Sequence, residues 1–310
     1  MRCELINRFF NGLLFSAILV VALALSAAAF HVGGGDAHDY LPLMLNIAGI
    51  LATGAMLYML NKTFSFIRAV TAVNVSTFLM LEAANPYLSA GASQGTLLCI
   101  VVMAATFIMF NAYNRRDSQR SIYLTFALLM LGSMFQYSCA FLIPVFILGF
   151  IQMRAMTLKG FLAMGVGLLT PPWILFGLGI LSFSTFEISS TPNVWEGLPD
   201  RQMWTLLVAA IASAVLVLAL MALNLMHIYS YKTQIRAYNG FFSILALATI
   251  IVMAVDYDAI LSYLPLLNCC LAIQMAHTFT ISTHPRRFIA VALLLVACAA
   301  SYSLFLTNSL

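Results

Sequence analysis

The sequence predicts an all-α protein, a polytopic bundle of about eleven transmembrane helices with no soluble domain anywhere in residues 1–310. Three observations predict it. Hydrophobic residues make up 63% of the 310 residues and charged residues only 8%, against roughly 25% charged in a soluble domain. The apolar runs are too long and too many for a globular core. The basic residues are confined to alternate connectors. The same composition excludes a disordered chain, a disulfide-rich secreted domain and a nucleic-acid binder.

A hydrocarbon layer about 30 Å thick takes about 20 apolar residues of helix. On that ruler the spans fall near 9–30, 41–60, 64–83, 96–111, 121–135, 139–153, 160–182, 203–226, 241–255, 260–280 and 287–306. The first follows MRCELINR and is too long for a signal-peptide core, so it reads as a retained helix. Turn formers separate the others, among them Asn61, Asn85-Pro86, Asn239-Gly240 and Pro285. Spans five and six are short and divided only by Gln136-Tyr137-Ser138, which reads as a tight hairpin or a re-entrant pair. Pro171-Pro172 removes two backbone donors from span seven and should kink or break it.

Orientation follows from Lys and Arg. Arg2, Arg8, Lys62, Arg68, Arg115, Arg116, Arg120, Arg154, Lys159, Lys232, Arg236, Arg286 and Arg287 share one set of connectors, and Arg201 stands alone in the other. The basic side is read as cytoplasmic, with the N-terminus inside and the C-terminus outside. The net charge of +4 is thus a topology signal, and no nucleic-acid partner is implied. Acids lean the other way. Only Glu4 and Asp117 fall inside, while Asp36, Asp39, Glu82, Glu187, Glu196, Asp200, Asp256 and Asp258 are assigned to the outer side. No Asp, Glu or Lys is expected at mid-membrane depth, an absence that argues against an ion-coupled transporter.

The outer segment HVGGGDAHDY (31–40) is the densest polar cluster. Asp36 and Asp39 are three apart and share a face if a helical turn begins after Gly35. Such a pair can hold a cation, or serve as a base beside a carboxylate that raises its pKa. The alternative is a glycine-rich turn in which Asp39 caps span two. His38 between them, and Asp256 and Asp258 closing span nine, are candidate substrate contacts. Arg201, at the outer end of span eight, could clamp a phosphate with its forked guanidinium; a salt bridge to Asp200 or Glu196 is the alternative. The six cysteines lack metal-ligand spacing and read as packing residues, so no metal is expected. Asn46, Asn74, Asn224, Asn268, Gln274 and His277 fall within spans, where interhelical hydrogen bonding accounts for them.

The stretch FLIPVFILGFIQMRAMTLKGFLAMGVGLLTPPWILFG (141–177) is similar to an uncharacterised family of bacterial multi-spanning inner-membrane proteins. The likeness is carried by Pro144, Arg154, Lys159, Gly160, Gly167, Leu168, Leu169 and Pro171. The chain also resembles the GT-C class of membrane glycosyltransferases, with ten or so spans and acidic catalytic residues in the first outer loop, where Asp36 and Asp39 stand. That resemblance implies glycosyl transfer from a polyprenyl-phosphate-linked donor at the outer face, without a bound cofactor. The competing readings are a scaffold subunit among other membrane proteins and an uncoupled transporter or flippase.

Overall fold

The computed structural model describes residues 16, 18–25, 40–67, 72–91, 93–179, 200–226, 232–281 and 284–309. Among them the fold is all-helical, with no strand. After a helical segment at 18–25 come α1 (Tyr40–Phe64), α2 (Val73–Ala83), α3 (Pro86–Gly91), α4 (Ser93–Phe110) and α5 (Gln119–Phe135). A 3-10 turn (Tyr137–Leu142) leads into α6 (Ile143–Gln152), α7 (Leu158–Gly177), α8 (Asp200–Leu225) and α9 (Thr233–Val255). A second 3-10 turn (Tyr257–Ala259) precedes α10 (Ile260–Ile281) and α11 (His284–Ser309). Among the described residues five stretches are long and apolar enough to cross a membrane: Leu41–Phe64, Leu158–Gly177, Trp204–Leu225, Thr233–Val255 and Tyr257–Thr280.

The centre of the bundle is α10, nearly all of whose residues are buried. It packs on α2, α4, α8 and α9. The close fit is made where a glycine meets backbone: a Cβ on Gly95 of α4 would stand 2.6 Å from the Leu261 carbonyl oxygen. Gly167 likewise seats α7 on α5, where a Cβ would lie 2.7 Å from the Tyr123 carbonyl oxygen. Small residues let helix backbones approach in this way. The outer face of α7 is the opposite, with Leu158, Leu169 and Trp173 all exposed, as suits a surface facing lipid.

Between α4, α6 and α9 the interior is filled with rings. Phe110 stacks on Tyr238 at 4.2 Å between centroids, and Phe64, Phe241 and Phe242 meet Phe110 edge-on. The Tyr238 hydroxyl donates to the Phe110 carbonyl at 3.2 Å, so the one polar atom of the stack is satisfied.

Two expectations from the sequence change here. Pro171 and Pro172 do not break span seven, since α7 runs helical through both. The break lies instead at Asn85-Pro86, where a loop between spans was expected: α2 stops, α3 begins, and Asn85 and Pro86 are both buried. The pair divided by Gln136 is a hairpin with a short second arm. Its two ends meet through Asn114 N–H to the Met153 carbonyl (2.9 Å) and Ser118 Oγ to the Ala155 carbonyl (2.7 Å).

Candidate functional site

Proline at 86 has no N–H, so the Glu82 carbonyl four residues earlier loses its helical partner. That opens the chain one turn beyond Glu82. Asn85 starts the next helix by accepting the Tyr87 N–H at 3.1 Å, with Pro86 at the first position, where its missing donor costs nothing. The far end of α3 is closed by Asn46 of α1, whose Nδ2 donates to the carbonyls of Leu88 and Ser89 at 2.8 Å each. Thr96 of α4 in turn donates to Asn46 Oδ1.

These contacts fix the height of the break. Asn74 Nδ2 reaches the Leu57 carbonyl at 3.1 Å while Asn46 meets Leu88 and Ser89, so α2 and α3 run antiparallel to α1. Glu82 therefore stands level with the middle of α1. Its side chain is fully buried, and Oε1 accepts from Asn268 Nδ2 at 3.0 Å. Asn268 Oδ1 accepts from Ser213 Oγ at 3.0 Å, and Ser213 is half-way along α8. The acid assigned to an outer loop is thus at the centre of the bundle. Its second oxygen, Oε2, is buried with no partner. Its one hydrogen-bond partner among the described residues is Asn268.

Asn268 and Ser213 line a narrow cleft. A second narrow cleft lies further along the same helices. The two lie in line along shared helix faces, at helical spacing, as one stripe with two halves, the groove. On α2 and α3, Val73, Ser76, Thr77 and Met80 are followed by Leu81, Ala84, Asn85 and Leu88. On α10, Phe279 and Met275 are followed by Asn268 and Leu264. On α11, Val291, Leu294 and Leu295 are followed by Cys298 and Ser301. Ala209, Ala212, Ser213 and Leu216 of α8 wall the half nearer Asn268. The outer wall, α11, packs on α8 and more lightly on α10.

The halves differ in chemistry. In the Phe279 half the two hydroxyls are spent, Thr77 on the Val73 carbonyl (2.7 Å) and Ser76 on Ser16 (2.9 Å), so the surface it offers is hydrocarbon. In the Asn268 half, Asn85 Nδ2 is buried without a partner. That donor calls for an acceptor on a ligand. The lining of this half carries no Lys or Arg, so it suits hydroxyl, carbonyl or amide groups rather than a phosphate.

The residues singled out from the sequence are otherwise dispersed. Asp36, His38 and Asp39 lie outside the described residues. Arg201 is in the first turn of α8, two helical turns before Ala209. Asp256 ends α9 and accepts the hydroxyls of Tyr137 (2.7 Å) and Tyr263 (2.8 Å), a brace between the α5–α6 hairpin and the α9–α10 corner. Asp258 is half-buried beside it, with Oδ1 unpartnered. Neither lines the groove. The proline-bearing α7 contributes to neither cleft. Cys99, Cys139, Cys269 and Cys270 are buried free thiols, and no metal-binding cluster occurs among the described residues. Asn224 donates to Gln274 Oε1 at 2.8 Å, tying α8 to α10 beyond the groove; His277 is buried against the Phe66 ring.

Set beside family models, curated proteins and solved structures, the chain matches none. Its function has to be argued from this geometry.

Proposed function

We propose that this is an integral membrane protein that takes an amphiphilic, lipid-linked molecule of the cell envelope into the groove and carries its head group to the level of Glu82. The observation behind the reading is the division of one groove into a hydrocarbon half and a half with an unanswered amide donor. A broken helix at membrane mid-height with an ionisable residue at the break is a recurrent site of substrate binding. The absence of a midplane acid was the argument against an ion-coupled carrier, and Glu82 removes it.

In the eleven-span topology, N-terminus inside and C-terminus outside, the Asn268 half lies toward the outer face and the Phe279 half toward the cytoplasm. We assign the protein to a bacterial inner membrane on the same reading, from the Lys/Arg asymmetry and the likeness at 141–177. The Arg201 end of α8 then faces outward, beyond the Asn268 half.

Glycosyl transfer in the GT-C manner, with Asp36 or Asp39 as base, is the second reading. It is favoured by the position of Arg201 on the helix whose later turns wall the groove. The experiment is native mass spectrometry of the protein from nanodiscs containing undecaprenyl phosphate and phospholipid. Retention of the polyprenyl lipid by the wild type, and its loss in Ala212→Trp, supports the groove; equal retention by both sinks it. Asp36→Asn and Asp39→Asn should leave retention unchanged. Release of a sugar from a polyprenyl-phosphate sugar that vanishes in those two variants would decide for transfer over carriage.

A further inference from the structure

We propose that Glu82, Asn268 and Ser213 form a proton-set relay that switches the groove between accepting and donating a hydrogen bond to the head group. The ligand side of this inference rests on the groove reading above; the relay itself is a property of the empty protein.

The relay has a direction. Asn268 donates through Nδ2 to Glu82 Oε1, and Ser213 donates to Asn268 Oδ1. With its proton committed inward, Ser213 can offer the cleft only lone pairs. A carboxylic acid at 82 reverses each step. Its hydroxyl donates to Asn268 Oδ1 once the side-chain amide turns over, and Nδ2 then donates to Ser213 Oγ. The Ser213 proton is released toward the cleft. An amide can do this because it carries a donor and an acceptor at interchangeable ends. One proton from hydronium is taken up on Oε1, so that one O–H bond of hydronium breaks as the new O–H forms and water is released; no other covalent bond changes.

Two features outside the relay point the same way. Glu82 Oε2 has no partner, an expensive arrangement for a carboxylate oxygen but a lesser one for the carbonyl of an acid. Asn85 Nδ2, also unpartnered, lines the same cleft. Together with a released Ser213 proton it makes a two-donor seat for a carbonyl or hydroxyl oxygen. The groups around Glu82 supply no competing charge. Cys269 of α10 lies beside it with Cys99 of α4 behind. Tyr58 and Lys62 lie on α1 and Tyr87 on α3, and among the described residues the titratable group that α11 brings to the cleft is Cys298.

The test has two readouts on the full-length protein in nanodiscs. The first is infrared difference spectroscopy between low and high pH with no ligand added. It should show a carboxylic C=O band absent from Glu82→Gln and, changing with it, a side-chain amide band absent from Asn268→Leu. If the wild type lacks either band, the relay is wrong whatever the groove binds. The second is binding of a long-chain methyl ketone, which only accepts hydrogen bonds. Affinity should rise about tenfold on acidification, the worth of one hydrogen bond. Ser213→Ala should abolish that rise, and Glu82→Gln and Asn268→Leu should flatten the pH profile while keeping binding. Ketone affinity that ignores pH in the wild type overturns the switch and leaves the groove standing. No ketone binding at any pH, with both infrared bands present, overturns the groove as its ligand site and leaves the relay.

Discussion

The two flanks of α10 solve the same packing problem in opposite ways. Toward α4 and α9, space is filled with rings, and the one hydroxyl in the stack is satisfied by the Phe110 carbonyl. Toward α2, α8 and α11, the side chains are small or aliphatic, a helix is broken, and a buried acid and a buried amide are left short of partners. Lipid chains are as apolar as leucine, so helices in a membrane associate mainly through packing and hydrogen bonds. This flank keeps its helices together by close contact and by the Glu82–Asn268–Ser213 hydrogen bonds, yet leaves clefts between them. The contrast separates the part of the molecule that holds the bundle together from the part available to a ligand.

That contrast can be broken by substitution, starting where the largest effect is expected. Phe110→Ala empties a site bounded by five other rings and should cost about 3–5 kcal/mol, read as a fall in the thermal unfolding midpoint in detergent. A loss below about 1 kcal/mol would mean the ring cluster does not hold the bundle. Gly167→Ala drives a methyl against the Tyr123 carbonyl and should cost about 1–3 kcal/mol, with Gly177→Ala, where a Cβ meets nothing, as the neutral control. Asp256→Asn keeps the shape and loses the charge that two tyrosine hydroxyls share. About 1 kcal/mol is expected, and no change in ligand retention by mass spectrometry. The smallest effect on stability belongs to Ala212→Leu, which fills open space. It should leave the unfolding midpoint within about 0.5 kcal/mol of wild type and still reduce ligand retention.

Much of the scaffold was legible because run length and composition respond directly to the bilayer. Leu41–Phe64, Trp204–Leu225 and Tyr257–Thr280 fall close to where the apolar ruler put them. The site was not legible by that ruler, which closes a span when twenty residues are used. It counted 64–83 as complete, which put Glu82 at the outer end of the span and Asn85 and Pro86 in a loop. The structure turns at Ser65–Ile67 instead, so the next helix starts nine residues later and carries the acid inward. A usable signal was present: a proline four residues after an acid leaves that acid's own carbonyl without a helical donor. At Pro171-Pro172 the same chemistry was noticed but over-read, since a helix on the lipid-facing side of α5 passes through both prolines unbroken. The partners of Asn268 could not be read at all, because three helices distant in sequence have to meet before its two hydrogen bonds exist.

The central claim is that the groove along α10 takes an amphiphile from the membrane. Photolabelling tests it most directly, with an undecaprenyl phosphate analogue that carries a diazirine midway along its chain. The labelled residues are then mapped by peptide mass spectrometry. The account predicts adducts on the groove faces of α2, α10 and α11, around Met80, Met275 and Leu294, and their loss when unlabelled undecaprenyl phosphate competes. Labelling spread over the exposed face of α7, around Leu169 and Trp173, with none in the groove and no effect of competitor, would contradict it.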